Sequence, residues 1–235
     1  PAPPQAHGFM DGLSVHYYVG VEKGENKGSA TEFDEARWFD TLSHAVKMEE
    51  LINRHGAIMD RYDPEKKIGM IVDEWGCWHD VEPGTNPGFL YQQNTMRDAL
   101  TAGITLNIFN RHCDRVKMAC IAQMVNVLQA VILTEGPRMV KTPTWYVFHM
   151  YRHHQGAQLV ESFLEGVEKI GMKEAEMVPH VQESVSVDEE GVISITLNNL
   201  SLTQEQEMEI VLEEKTCEKV EATLLCGGMR DYNTF

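Results

Sequence analysis

The stretch from Ile68 to Asp80, IGMIVDEWGCWHD, constrains the fold more than any other part of the chain. Ile68 to Val72 is a short, partly β-branched apolar run of the kind that makes a strand buried on both faces. It stops abruptly at Asp73 and Glu74, with a tryptophan and a glycine behind them. The polarity therefore sits at the C-terminal end of the strand. Side chains alternate along a strand, which predicts Met70, Val72 and Glu74 on one face and Ile71 and Asp73 on the other, with only one carboxylate facing a given pocket. Glu74 is the candidate. A structural acid held by backbone donors has the same local signature.

Two further runs repeat this arrangement. Met10 to Tyr18 reads as a strand with Leu13, Val15 and Tyr17 on one face and Ser14, His16 and Tyr18 on the other. Residues 20 to 32 form a glycine-rich, charged loop, and Thr31-Glu32-Phe33-Asp34 can cap a helix. In that helix Trp38, Leu42, Ala45, Val46, Leu51, Ile52, His55, Ile58, Met59 and Tyr62 recur at helical spacing until Asp63-Pro64 breaks the pattern. After the central strand the spacing predicts a helix from about Phe89 to Ala102 ended by Gly103, and a third strand over Ile104 to Phe109. Polar residues Asn110 to Asp114 follow that strand, and then a largely apolar helix from Val116 to Leu133. This alternation is the signature of parallel βαβ units, with chemistry at the C-terminal ends of the strands.

From about Thr144 the character changes. Beyond Gly171 the segments VQESVSVD, VISITLNN, EMEIVLEE and VEATLLC alternate apolar and polar residues between turn-like breaks. They predict an antiparallel sheet, half of a β-sandwich, with a boundary near residues 156 to 172.

The net charge of -16, from 36 acids against 20 bases, argues against a nucleic-acid surface or an anionic membrane, both of which need a basic footprint. No apolar run approaches the ~18 residues of a membrane span, and no targeting signal is visible at the start, which lacks a methionine. Five widely spaced cysteines without a CxxC indicate neither a disulfide framework nor a thiolate zinc site, and reduced thiols favour a cytoplasmic setting. A metal site from His112, Cys113 and Asp114, or from His153-His154, is disfavoured because adjacent residues on one element rarely converge on one ion. No metal or cofactor is expected.

Collected, these segments resemble the α-L-arabinofuranosidases of glycoside hydrolase family fifty-one. The resemblance is carried by DGLSVHYY at 11–18, IVDEWGCWHD at 71–80, AQMVNVLQAVILTEGPRMVKTPTWYVFHMY at 122–151, and the tail from VISITLNNLS to DYNTF. It implies an α/β fold: the last three strands of a (β/α)8 TIM barrel over residues 1–155, followed by an incomplete antiparallel β-sandwich over 156–235. It implies a retaining hydrolase that releases terminal α-L-arabinofuranosyl groups from arabinan, arabinoxylan or their oligosaccharides, acting as a homo-oligomer. The glutamate of the family's DEW motif, a nucleophile, corresponds to Glu74. His16 and Tyr18 correspond to residues that orient it and bind the sugar, Trp78 to an aromatic of the sugar pocket, and Gln123 to a glutamine that hydrogen-bonds arabinose. Gln123 and Asn126 lie three apart on the expected apolar helix and so share a face; Asn126 is read as making a structural hydrogen bond.

A retaining glycosidase needs a second carboxyl group about 5 Å away, and a (β/α)8 barrel takes roughly 250 residues. No Asn-Glu pair of the family's acid/base type precedes Glu74. The expectation is a chain truncated at both ends, inactive and poorly stable alone, its acid/base residue lying elsewhere. The alternative is a non-catalytic carbohydrate-binding or assembly protein derived from the hydrolase.

Overall fold

The computed structural model describes residues 8–20, 27–213 and 216–235. The proline-rich start, residues 21–26 of the expected glycine-rich loop, and Glu214 at the end of EMEIVLEE lie outside the described residues. Three strands, β1 (Gly12–Val19), β2 (Gly69–Cys77) and β3 (Val116–Ile121), make a parallel sheet in the order β1-β2-β3. Helix α1 (Glu35–Asp60) connects the first pair and α2 (Met96–Arg111) the second. The central place of β2 explains its apolar start: Met70 and Val72 are fully buried.

Asp34 begins α1 by accepting the Arg37 amide at 2.9 Å. The helix buries Trp38, Leu42, Ala45, Met48 and Ile52, and its apolar stripe joins the core with Met70, Val72 and Trp75 of β2. At the far end Asp63 accepts the Lys67 and Ile68 amides and, at 2.8 Å, Nη1 of Arg115. Arg115 in turn donates to the Ile68 carbonyl, so one buried ion pair ties together the starts of β2 and β3. The other face of the sheet is far more open. Ser14 and His16 are exposed there, and Met118, in register with Ile71, is 55% exposed.

Several expectations are overturned. Ile104 to Phe109 is the second half of α2, because Gly103 lies inside the helix and does not end it. A Cβ on Gly103 would meet Oδ1 of Asn198 at 2.5 Å, so the glycine serves the close approach of a neighbouring element. Helix α2 starts later than expected, after Thr95, whose amide donates to Oδ2 of Asp98 at 2.7 Å. The segment Val116 to Leu133 is not a helix. Its first part is β3, drawn into the sheet by the Met70 amide bonding the Arg115 carbonyl at 2.8 Å, and residues 122–131 are irregular. Pairing with β2 outweighs the helix propensity of Lys, Met and Ala.

Beyond this, β4 (Ile132–Glu135) and β5 (Arg138–Lys141) form a hairpin, and α3 (Pro143–Tyr151) follows. The short β6 (Gln158–Leu159) pairs with β9 (Val181–Val187), which pairs with β10 (Ile193–Asn199) in an antiparallel sheet of order β10-β9-β6. The strands β7 (Lys169–Ile170) and β8 (Val178–Pro179) pair with each other. This sheet packs on α2 through polar contacts: Asn107 Oδ1 accepts from Tyr151 at 2.9 Å and from Thr196 at 3.0 Å. The strands expected over EMEIVLEE and VEATLLC are not formed among the described residues, where the chain from 205 to 226 is irregular and largely exposed. Alternation there has no neighbouring strand to pair with. No helix among the described residues is long and apolar enough to cross a membrane.

Leu42→Ala is expected to cost about 2–5 kcal/mol of stability, because Leu42 is wholly buried in the core. Denaturant unfolding measures it, and a loss below about 1 kcal/mol would contradict the packing of α1 described here.

Candidate active site

The geometry at the C-terminal end of β2 depends on one extra residue. Between Ser14 and His16, β1 advances two residues while its partner β2 advances three, from Ile71 to Glu74. Against β3 the same happens: Ala119 to Ile121 is matched by Val72 to Trp75. Strand β2 therefore bulges at Asp73 and Glu74. The buried side chains follow the sequence Met70, Val72, Trp75, Cys77, and Glu74 is displaced from the buried face on which simple alternation puts it. Both carboxylates now face the residues of β1, which corrects the expectation that only one would.

Asp73 Oδ1 accepts from Oγ of Ser14 at 2.7 Å and lies 3.2 Å from Nε2 of His16. The other imidazole nitrogen, Nδ1, is 3.6 Å from Oε2 of Glu74. Tyr18 donates its hydroxyl to the same Oε2 at 2.6 Å. Burial, with the bond to Glu74 and its charge, pushes the Tyr18 phenol well above its ordinary pKa, so it remains a donor. The Ser14 hydroxyl, and then His16, holds Asp73 below the usual carboxylate range. The side chains of Glu74 and His16 are each 47% exposed, so a ligand can reach both. Trp78 sets its ring edge-on to Tyr18 at 5.1 Å, and Nζ of Lys27 stands 4.5 Å from the Trp78 ring centre.

Four of the five residues singled out from the sequence thus meet: Glu74, His16, Tyr18 and Trp78. Gln123 makes no side-chain hydrogen bond to them among the described residues. It is exposed, two residues past the end of β3 at the same end of the sheet, and it does not share a helix face with Asn126. Asn126 pairs with Thr134, donating to Oγ1 and accepting the amide, each at 2.7 Å. Alternation hid Asp73, and nothing in the sequence marked Lys27. A recess lined by Gly28, Phe33, Arg37 and Arg230 contains none of the residues that meet at Glu74.

Below the strand end lies a buried polar cluster that sequence reading missed. Nε2 of His79 is 3.0 Å from Asp98 Oδ1 and 2.9 Å from Arg97 Nη2, and the Arg97 guanidinium stacks 3.7 Å from the Phe33 ring centre. Donor atoms of Cys77, His79 and Asp98 lie within 4.8 Å of one another, close enough to surround a cation. The chemistry does not suit one. Burial and Asp98 push the Cys77 thiol far above its ordinary pKa, keeping it protonated, and Arg97 already supplies a positive charge to Asp98. The residues His112, Cys113 and Asp114 do not converge either: His112 contacts Glu49, and Asp114 pairs with Lys66.

A family model described as "Alpha-L-arabinofuranosidase C-terminal domain" matches residues 73–235. The chain belongs to this family. It is 44% identical over 227 residues to the "Intracellular exo-alpha-L-arabinofuranosidase" of Bacteroides ovatus, covering 96% of this chain and 44% of that protein. The structure is similar to that of the GH51 arabinofuranosidase from Xanthomonas axonopodis pv. citri, with a TM-score of 0.81 and 49% identity over 85% of this chain and 40% of that one. A family 51 alpha-L-arabinofuranosidase from Bifidobacterium longum, 24% identical, shares the fold with a TM-score of 0.68 over 85% of this chain and 41% of that one. The chain thus spans less than half the length of these relatives, and it corresponds to the C-terminal region of the GH51 enzymes.

Burial, followed by the charge of Arg97, pushes the His79 pKa down, so the folded state favours the neutral imidazole. As pH falls below the unfolded value of about 6.5, the unfolded chain gains a proton that the folded chain resists, and stability declines. The midpoint temperature of the wild-type protein should therefore fall between about pH 7 and 5 more steeply than that of His79→Gln. Equal slopes in thermal scans would remove His79 from this role.

Proposed function

We propose that this chain is the C-terminal part of a retaining exo-acting α-L-arabinofuranosidase, with Glu74 as its nucleophile. The observation that carries the reading is the bulge, which turns the Glu74 carboxylate out at the C-terminal end of a parallel strand, where Tyr18 and His16 hold it. Rigid strand ends of this kind are where parallel α/β enzymes keep their reacting groups. Residues 1–155 supply the last three strands of a (β/α)8 barrel, and residues 156–235 form part of a β-sandwich domain. The open inner face of the sheet, with Ile71 and the exposed Met118, suits continuation by further barrel strands outside this chain.

In the proposed reaction Glu74 attacks the anomeric carbon of a terminal arabinofuranosyl group and the glycosidic oxygen leaves. Water then displaces Glu74, restoring the starting configuration. The hydroxyl of Tyr18 fixes one carboxylate oxygen, which leaves the other free for attack. Trp78 walls the sugar site and Gln123, on the same rim, hydrogen-bonds the ring hydroxyls. The proton for the leaving oxygen must come from an acid with a raised pKa. Asp73 is unsuited, since Ser14 and His16 favour its ionised form; its work is to orient His16. The acid/base residue is accordingly assigned to the part of the enzyme outside this chain. The substrates are arabinose-containing oligo- or polysaccharides. The setting is cytoplasmic, in keeping with free cysteines among the described residues and with the intracellular relative from Bacteroides ovatus, and the complete enzyme is read as a homo-oligomer.

Glu74→Ala in the complete enzyme is expected to lower kcat on an aryl arabinofuranoside by on the order of 10⁴-fold or more. Added azide should restore part of the rate and yield an arabinofuranosyl azide of inverted configuration. A variant that keeps most of its activity would reject the assignment. Residues 1–235 alone, assayed on the same substrate, should show no turnover.

A further inference from the structure

Trp78 lies one residue past the end of β2, where no strand remains to hold the backbone. Its amide donates to the Val19 carbonyl at 2.8 Å, the last contact with β1. The residues on either side are held by side chains. The Cys77 amide donates to Oε1 of Gln129 at 2.8 Å, the Cys77 carbonyl accepts from Nε2 of Gln92 at 3.2 Å, and the His79 amide donates to Oε1 of Gln92 at 2.8 Å. Both glutamines are completely buried. A carboxamide presents an acceptor and two donors on one rigid plane, which lets Gln92 bond the carbonyl before Trp78 and the amide after it at once.

Gln129 is itself anchored to the helical layer. Its Nε2 donates to the Asp98 carbonyl in α2 at 2.7 Å and to Oγ1 of Thr144 in α3 at 3.1 Å. The preceding Gly76, at φ +134°, admits this side chain: a Cβ there would be strained by the backbone and would meet Gln129 Oε1 at 3.1 Å. The backbone around Trp78 is thus held by two buried amides, of which Gln129 is anchored to α2 and α3. The place of Glu74 is set separately, by the bulge between β1 and β3.

We infer that Gln92 and Gln129 are positioning residues that fix Trp78 as the wall of the sugar site, and so control substrate affinity separately from the attacking carboxylate. This rests on the assignment of Trp78 to the sugar site made above. Removing either amide frees the backbone of residues 77–79 and shifts the Trp78 ring, whose edge-on contact is with Tyr18.

The test uses the complete enzyme with Gln92→Met and Gln129→Met, near-isosteric changes without hydrogen-bonding groups. Gln182→Met, at a buried glutamine of β9, controls for stability loss alone. KM for an aryl arabinofuranoside should rise about tenfold in the first two variants, with kcat held within about threefold, and neither should move in the third. With 5-fluorotryptophan incorporated, the ¹⁹F resonance of Trp78, assigned with Trp78→Phe, should shift or broaden while that of Trp38 stays in place. Unchanged KM and an unmoved Trp78 resonance in the folded variants, or a loss confined to kcat, would overturn the inference. If Gln129→Met does not fold, Gln92→Met decides, with Gln92→Asn as the milder change of reach. Glu74→Ala assayed in parallel separates the two readings: an active Glu74→Ala sinks the nucleophile assignment, whereas an inactive one beside an unaffected Gln92→Met sinks only the positioning role.

Discussion

One inserted residue in a central strand governs the arrangement of this protein. A regular β2 would send Glu74 into the helical layer beside Val72 and leave Asp73 alone opposite Ser14. The bulge spends one residue of pairing and turns two adjacent carboxylates toward β1, while Trp75 takes the vacated buried position at 1% exposure. Trp75 then packs edge-on against Phe109, with ring centres 5.4 Å apart, and stacks near Phe148 at 6.0 Å. The bulge is held by neighbours on both sides and by the seating of a large aromatic, so the irregularity is part of the core.

The two carboxylates are held differently, and electrostatics distinguishes them. Asp73 has the Ser14 hydroxyl and one side of His16, which together favour its ionised form. Glu74 has the Tyr18 hydroxyl on one oxygen and the other side of His16. His16 therefore stands between two acids held in different ways: Asp73 by Ser14, and Glu74 by Tyr18 on one oxygen. Deeper in the protein, the neutral His79 stands between Asp98 and Arg97 in a buried polar cluster. Arg97 donates there to the Ser29 and Ala30 carbonyls, and the cluster lies at the junction of β2 and α2.

Much of the candidate site was legible because residue type and period coincide there. The β1 face of Ser14, His16 and Tyr18 follows from strict alternation, and β1 has no irregularity of its own to disturb it. The α1 stripe was legible for the same reason as far as Ile52 and Met59, but His55, Ile58 and Tyr62 are exposed and the helix ends at Asp60, before Asp63-Pro64. The misreadings share a different cause. Gly103 looked like a helix end, yet its lack of a side chain answers to Asn198, 95 residues further along the chain. Val116 to Ile121 has residues that suit a helix, and only pairing with β2 makes it a strand.

Taken alone, the sequence determined which residue types stand at the ends of its apolar runs, where its first long helix begins, and that its motifs are those of an arabinofuranosidase C-terminal region. These are local properties, decided by side-chain periodicity and by capping and breaking residues within a few positions of one another. The tertiary structure decided which way Glu74 and Asp73 face, that Gly103 lies within a helix, and that Gln92 and Gln129 grip the backbone around Trp78. Each of those depends on contacts between segments distant in sequence, and local propensity holds no information about a neighbour that only folding supplies.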